Sequence, residues 1–424
     1  MDEKRSVAFH TLGCKLNFSE TSSLSRLLEN EGFEKKNFDD KADVYVINTC
    51  SVTDNADKEC RHLVRRIQRK APESLVVITG CYAQLKSKEI AQIKGVDLVL
   101  GAAEKFNIAQ HLKELSKNDS AKICSCDISE VTGFNASFSI NDRTRTFLKV
   151  QDGCDYNCSF CTIPMARGKS RSDNIENVVR NAEQLAKSGV KEIVLTGVNL
   201  GDFGKGTDGN KKYDESFFEL VKALEKVDEI ERYRISSIEP NLLTNDIIDF
   251  VANSHKFMPH FHIPLQSGSN AVLALMRRRY KRELYTERVE LIKILMPHCA
   301  IGVDVIVGFP GETEEHFMET FNFLHKLDIS YLHVFTYSER PNTLAAEMKH
   351  IVPINIRNER NKKLRNLSYM KMSEHTGKHT GQTRKVLFEG SSKNAMMEGY
   401  TDNYIKITTP LKTEWVNHVI DWVI

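Results

Sequence analysis

The apolar positions of the first hundred residues fall into short blocks with alternating periods. Apolar runs at 6–12, 44–48, 75–79 and 97–100 read as strands. Between them, helical spacing covers 20–30, a basic stretch ending before Pro72, and 88–94, with Gly32 closing the first helix. Short apolar runs bounded by turn residues suit strands, and three- and four-residue spacing suits helices. A regular strand–helix alternation predicts a parallel, doubly wound α/β sheet.

From residue 140 the alternation restarts. Strands are predicted at 146–150, 192–196, 233–237, 260–265, 302–307 and 331–336, with amphipathic helices such as 216–227 and 314–327 between them. Ile175, Val178, Val179, Ala182, Leu185 and Ala186 keep helical spacing until Gly189 stops them. Six such units are too few to close an eight-stranded barrel, so the pattern predicts an open, partial (βα)6 barrel with its chemistry at the strand C-termini. Beyond 373 the character changes again. Segments 384–388, 394–399, 403–408 and 415–423 read as short strands joined by polar turns, a small β-barrel in the style of oligonucleotide-binding barrels. The expected division is 1–118, a polar linker at 119–139, a core at 140–370 and the β unit at 373–424.

Hydrophobic residues make up 41% and charged residues 27% of the 424, which suits a soluble globular chain of two or three domains. The first nine residues lack the apolar core of a secretion signal, and no stretch approaches the roughly 18 apolar residues of a membrane helix. The expected location is the cytoplasm, with no membrane partner. A net charge of +2 does not itself call for nucleic acid. Its distribution says more: basic runs at 61–70, 277–282 and 357–365 can neutralise phosphates locally, although each also suits a solvated helix face.

Ten cysteines in a reducing compartment point to ligands or buried thiols rather than disulfides. Gly153-Cys154-Asp155-Tyr156-Asn157-Cys158-Ser159-Phe160-Cys161 places three thiols at C-x3-C-x2-C spacing just after the first barrel strand. Three such thiolates suit three irons of a 4Fe–4S cube, leaving the fourth iron open. The alternative is structural zinc, which wants four protein ligands in paired hooks, and no second hook follows. Cys14, Cys50 and Cys81 each follow one of the first three strands. Ligands of open α/β sheets bind at strand carboxyl ends, so these thiols are expected to converge on a second site. The alternative there is a set of buried structural thiols. Cys60, Cys124, Cys126 and Cys299 are read as structural or incidental.

These motifs resemble the methylthiotransferases of the radical S-adenosylmethionine (SAM) superfamily over essentially the whole chain. The resemblance is carried by Thr11-Leu12-Gly13-Cys14-Lys15-Leu16-Asn17, Asn48-Thr49-Cys50, Gly80-Cys81 and the 153–161 loop. It continues through Ile163-Pro164-Met165-Ala166-Arg167-Gly168, Ser236-Ser237-Ile238-Glu239-Pro240 and His262-Ile263-Pro264-Leu265-Gln266-Ser267-Gly268-Ser269, and ends in a TRAM-like RNA-binding barrel. Gly13-Cys14-Lys15 and segment 163–168 look most like the branch acting on N6-threonylcarbamoyladenosine in tRNA.

The resemblance implies two 4Fe–4S clusters and SAM as cofactors. Cys154, Cys158 and Cys161 would hold the SAM-cleaving cluster, and Cys14, Cys50 and Cys81 an auxiliary one carrying the sulfur. The hydrogen on carbon 2 of adenine is beyond protein acids and bases, so a cofactor-derived radical must take it. Asn199, Ser237 and Glu239 at strand ends, and Gln266 in the 262–269 motif, are the candidate SAM contacts; as strand-end residues they also suit simple turns. The implied partners are a tRNA anticodon stem-loop, an electron donor such as flavodoxin or ferredoxin, and an unidentified sulfur donor. Arg277, Arg278 and Arg279 are the preferred tRNA contacts, and an arginine fork is the expected partner of the threonylcarbamoyl carboxylate. The competing functions are methylthiolation of isopentenyl-adenosine or of a ribosomal-protein aspartate, and a non-catalytic iron–sulfur RNA-binding protein.

Overall fold

Apolar runs without alternation are the mark of strands buried on both faces, and the N-terminal sheet is built from them. The structure, a computed structural model, describes residues 4–51, 54–117, 120–140, 144–209, 212–390 and 395–424. In the first unit these form β1 (Ser6–Thr11), α1 (Lys15–Asn30), β2 (Glu34–Lys36), β3 (Val44–Thr49), α2 (Asp54–Lys70), β4 (Leu75–Gly80), α3 (Cys81–Leu85), α4 (Ser87–Ala91), β5 (Leu98–Leu100), α5 (Ile108–Lys113) and β6 (Lys122–Cys124). All six strands run parallel in the order β2-β1-β3-β4-β5-β6. Val44, Val46 and Val77 pack against Leu24, Leu28, Ile108 and Leu112 on one face; Tyr45, Ile47 and Ile78 meet Leu63, Val64 and Ile67 on the other. Helices thus cover both faces, as a doubly wound sheet requires.

Three features depart from the sequence expectation. Helix α1 begins at Lys15 rather than 20, because its first turns bury the polar residues Asn17, Ser19 and Glu20 against the barrel and show no apolar stripe. Strand β2 is an exposed, charged edge with no hydrophobic signal. The segment 119–139 is not a free linker at its ends: β6 extends the first sheet, and β7 (Ser137–Phe138) pairs antiparallel with the first barrel strand.

The barrel follows as β8 (Arg145–Lys149), β9 (Gln151–Asp152), α6 (Ile163–Arg167), β10 (Arg171–Ser172), α7 (Ile175–Lys187), β11 (Glu192–Thr196), α8 (Phe217–Glu225), β12 (Arg232–Ile235), α9 (Asn245–Asn253), β13 (His260–His262), α10 (Asn270–Leu275), α11 (Arg282–Leu295), β14 (Ala300–Val307), α12 (Glu314–Lys326), β15 (Tyr331–Thr336) and α13 (Ile354–Gly377). Strands β8, β11 and β12 are parallel, as are β13, β14 and β15. The two triplets meet through the single parallel bridges Tyr233–Phe257 and Ser237–His262. Six parallel strands around one core give the expected open barrel. The long helix α13 crosses the expected boundary at 373.

The C-terminal unit comprises β16 (Thr383–Phe388), β17 (Met396–Thr401), β18 (Lys406–Pro410) and β19 (Val419–Val423), antiparallel in the order β18-β17-β16-β19. Among the described residues β18 and β19 form the two ends of this small antiparallel β unit. Its core is Val386, Phe388 and Met397, flanked by Trp415 and Trp422. Residue 394, the expected start of its second strand, lies outside the described residues. Arg232 donates to the Lys385 carbonyl at 2.8 Å, and Arg145 pairs with Glu389. Arg145 and Arg232 open β8 and β12, so this sheet caps the barrel end opposite the Cys154 loop.

Candidate functional site: two thiol triads around the barrel

The Cys154 loop leaves the C-terminal end of β8 through a backbone conformation that only glycine tolerates easily. Gly153 has φ +69°, and a Cβ there would fall 1.9 Å from the Lys169 carbonyl oxygen. The loop then turns its backbone amides onto its own sulfurs: Tyr156 N–H donates to Cys154 Sγ and Ile163 N–H to Cys161 Sγ, each at 3.4 Å. The Arg278 guanidinium donates to Cys158 Sγ at 3.1 Å. Burial pushes the Cys154 and Cys161 thiols up to about 12 and raises Cys158 as well. A cluster held here would displace the thiol protons, and the two amides and Arg278 would stabilise the resulting thiolates.

The second triad is assembled from neighbouring strand ends. Cys14 caps α1 after β1, Cys50 follows β3, and Cys81 opens α3 after β4. These strands are adjacent, and β1/β3 is where the strand order reverses, the usual place for a ligand in such sheets. Gly13, at φ +97°, lies so close to Cys50 that a Cβ would stand 2.5 Å from its Cβ and 2.8 Å from its Sγ. Asn17 Nδ2 donates to the carbonyls of Leu12 (2.8 Å) and Thr49 (2.9 Å), tying the two loops together. Burial raises the Cys81 thiol, which also feels Cys14 and Arg167.

The donor sets distinguish a cluster from a single ion. A zinc ion about 2.3 Å from each thiolate needs sulfurs about 3.8 Å apart. Among the described residues only His262, Asp304 and His333 bring three ligand atoms within 4.8 Å of one another, so neither triad is closed around one ion. Three thiolates at wider spacing, with amide and guanidinium donors on the sulfurs, fit a polynuclear iron–sulfur group.

Between the triads lies a buried charge network that sequence inspection missed. Glu20 on α1, fully buried, meets Lys105 at 2.7 Å, Lys149 at 2.9 Å and Arg167 at 3.2 Å. Asp152 pairs with Lys149 at 2.7 Å and Arg167 at 2.8 Å, and Arg167 also donates to Asn17 Oδ1 at 2.6 Å. Burial opposes ionisation of Glu20, but Arg167, Lys105 and Lys149 outweigh it and hold the carboxyl well below its usual range. Three cations against two anions leave a positive surplus beside Cys81. Arg167 belongs to the 163–168 motif, but its partners are scattered along the chain and leave no local signal.

The candidate SAM contacts occupy two places. Asn199 is 2% exposed, its Nδ2 has no hydrogen-bond partner, and its Oδ1 accepts from Glu239 N–H at 3.4 Å. Glu239 is bound by Arg278, the same guanidinium that touches Cys158. The Ser237 carbonyl accepts from Leu200 N–H at 3.2 Å. Gln266, at φ +69°, lines a separate cavity of about 230 Å³ together with Cys161, Phe160 and Asp304. Gln151 positions the loop after β11 by accepting from the amides of Val198 (2.8 Å) and Asn199 (2.9 Å).

The basic runs fare differently. Arg278 is turned inward, leaving Arg277 and Arg279 exposed; Arg279 stacks 3.9 Å over the Tyr156 ring. In the third run, Arg357 is spent on the Val352 and Tyr337 carbonyls and Glu339, and Arg360 on Glu312. These two are structural, because α13 packs them against the barrel. In the first run, Arg61 pairs with Glu89 and Arg66 with Asp39 at the surface.

Residues 6–101 match the Uncharacterized protein family UPF0004, and residues 148–324 match the Radical SAM superfamily. The chain is similar to the threonylcarbamoyladenosine tRNA methylthiotransferase MtaB of Bacillus subtilis (strain 168), 41% identical over 411 residues, spanning 95% of this chain and 89% of that protein. The Aquifex aeolicus (strain VF5) protein of the same name is 41% identical over 404 residues, 95% and 96% of the two chains. A tRNA-2-methylthio-N(6)-dimethylallyladenosine synthase of Staphylococcus aureus (strain JH9) is 32% identical over 435 residues, 99% and 83%. Among solved structures, the radical S-adenosylmethionine methyltransferase TsrM of Kitasatospora setae superposes with a TM-score of 0.58 at 16% identity, covering 81% of this chain and 75% of that one. At that identity the likeness concerns the fold alone.

Proposed function

The chain belongs to the tRNA methylthiotransferase family of radical SAM enzymes, and from that premise we propose that it places a methylthio group on carbon 2 of N6-threonylcarbamoyladenosine beside the tRNA anticodon. The observation that carries the choice of substrate is near-full-length identity of 41% to two threonylcarbamoyladenosine enzymes, against 32% to a dimethylallyladenosine enzyme.

In this reading Cys154, Cys158 and Cys161 hold the cluster to which SAM binds, and Cys14, Cys50 and Cys81 hold the auxiliary cluster. When bound, these groups supply the radical that removes the carbon 2 hydrogen and the sulfur that replaces it. The chain's own residues orient and insulate that chemistry. Arg278 fixes Cys158 and Glu239 relative to each other. The unpaired amide of Asn199 is left to meet a polar group of SAM, since a buried donor without a partner is costly. Gln266 borders the cavity beside Cys161. The network of Glu20, Lys149, Asp152 and Arg167 locks the first sheet to the barrel, tying helix α1, which follows Cys14, to the strand that leads into the Cys154 loop. The reading brings in a tRNA anticodon stem-loop, an electron donor such as flavodoxin or ferredoxin, and a cytoplasmic setting; no described helix is long and apolar enough to cross a membrane.

Mass spectrometry of tRNA nucleosides from a strain lacking the gene tests the proposal. The 2-methylthio derivative of threonylcarbamoyladenosine should disappear while its precursor accumulates. Loss of the methylthiolated isopentenyl nucleoside instead, or no change in tRNA, would overturn it.

A further inference from the structure

A cavity of about 250 Å³ opens beside Cys14 and reaches into the barrel, with Lys15, Arg145, Arg234, His260 and Tyr404 in its wall. All three parts of the chain meet there. Lys15 begins α1, the arginines and His260 lie on β8, β12 and β13, and Tyr404 comes from the turn between β17 and β18.

Two of its three cations are committed. Arg145 pairs with Glu389 and lies 4.3 Å over the Tyr400 ring. Arg234 donates to Glu192 at 2.8 Å and to the carbonyls of Thr401 (2.7 Å) and Asp402 (2.8 Å). Lys15 forms no hydrogen bond or ion pair with any described residue. His260 adds a second unmet group. It is 4% exposed, its Nε2 is engaged by the Tyr331 hydroxyl at 2.8 Å, and its Nδ1 has no partner.

Resting on the function proposed above, we propose that Lys15 binds the carboxylate of the threonylcarbamoyl group and so selects this substrate, with His260 Nδ1 meeting a neutral polar atom of the same side chain. Lys15 is exposed at the mouth of this cavity, so a nucleoside filling the cavity strips water from its ammonium, and a carboxylate compensates that loss where an apolar isopentenyl chain does not. The position suits the reaction, since Lys15 directly follows Cys14, which would hold the auxiliary cluster, and the group on N6 extends from the ring whose carbon 2 would have to approach that cluster. Lys15 rather than an arginine fork is assigned here because both arginines in the wall already have acidic partners, Glu389 and Glu192.

The test is anaerobic binding of anticodon stem-loops to the reconstituted holoprotein at fixed salt. Four RNAs are compared: one with threonylcarbamoyladenosine, one with its carboxylate methyl ester, one with isopentenyl-adenosine, and one with unmodified adenosine. The natural protein should prefer the acid over the ester by roughly 30-fold or more, the usual loss when one partner of a desolvated pair is removed. Lys15→Met, assayed on protein with its full iron content, should bind acid and ester alike, while Lys15→Arg keeps most of the preference. A Lys15→Met protein that still prefers the acid overturns the assignment to Lys15, as does a natural protein indifferent between acid and ester. A natural protein that prefers isopentenyl RNA defeats the proposed function itself, which the other two outcomes leave standing.

Discussion

Cys154, Cys158 and Cys161 come from one loop of eight residues, whereas Cys14, Cys50 and Cys81 come from the ends of three separate strands. The loop triad carries its own supports: a glycine turn at 153 and two backbone amides aimed at the sulfurs. The strand-end triad has no such local frame. Its geometry depends on the parallel register of β1, β3 and β4, on Gly13 packed against Cys50, and on Asn17 bridging two loops. One site is therefore a motif and the other a consequence of the whole first domain, and they should fail in different ways.

The largest effect comes from removing each triad in turn. Anaerobically reconstituted protein should hold about eight irons, the sum of two cubes. Replacing Cys154, Cys158 and Cys161 by Ala should halve the iron and abolish release of 5′-deoxyadenosine from SAM. The same replacement at Cys14, Cys50 and Cys81 should also halve the iron while SAM cleavage persists without methylthiolation. Full iron in the second triple variant would show that the strand ends hold no cluster.

A smaller effect is expected at the charge network joining the two regions. Glu20→Gln leaves Lys105 without its carboxylate partner, and Lys149 and Arg167 with Asp152 alone, in a buried setting. Breaking a buried ion pair on one side costs about 3–5 kcal/mol, which a lowered urea midpoint of the apo protein would report. The pH dependence has a definite sign. Because the folded Glu20 carboxyl lies below its usual range, its contribution is complete above the unfolded value of about 4.3 and fades as pH falls towards the folded one. The Gln variant should lose that part of the acid sensitivity. Equal midpoints and equal acid slopes for the two proteins would mean that the network contributes no stability.

The contrast between the triads also explains what the sequence could disclose. The Cys154 loop was legible as a spacing, and the six barrel strands as apolar runs, because both signals are local. The strand-end cysteines were legible only once the strands were placed, since their meeting depends on sheet order. Glu20, Lys105, Lys149 and Arg167 were not legible at all. Each reads as an ordinary charged residue, and only the docking of α1 on β8 buries them together. The same cause hid the start of α1, whose buried face is polar. The basic runs misled for the opposite reason: charge in sequence says nothing about direction, and Arg278, Arg357 and Arg360 point inward.

Arg279 gives the smallest effect and the sharpest contrast with its neighbour. Arg278 is buried against Cys158 and Glu239, whereas Arg279 is exposed, stacked on Tyr156 and donating to the Asp155 carbonyl at 2.9 Å. An exposed arginine at the rim of the cluster loop suits a phosphate contact, which positions RNA without reading it. Arg279→Gln should therefore weaken stem-loop binding only a few-fold, equally for modified and unmodified RNA, and lower the salt dependence by about one phosphate contact. SAM cleavage and iron content should stay close to natural, because no sulfur is touched. Arg278→Gln should instead impair SAM cleavage, since it removes the donor on Cys158 and the partner of Glu239 together. If Arg279→Gln left the salt slope unchanged, the RNA path would have to run over another face of the barrel, away from the Cys154 loop.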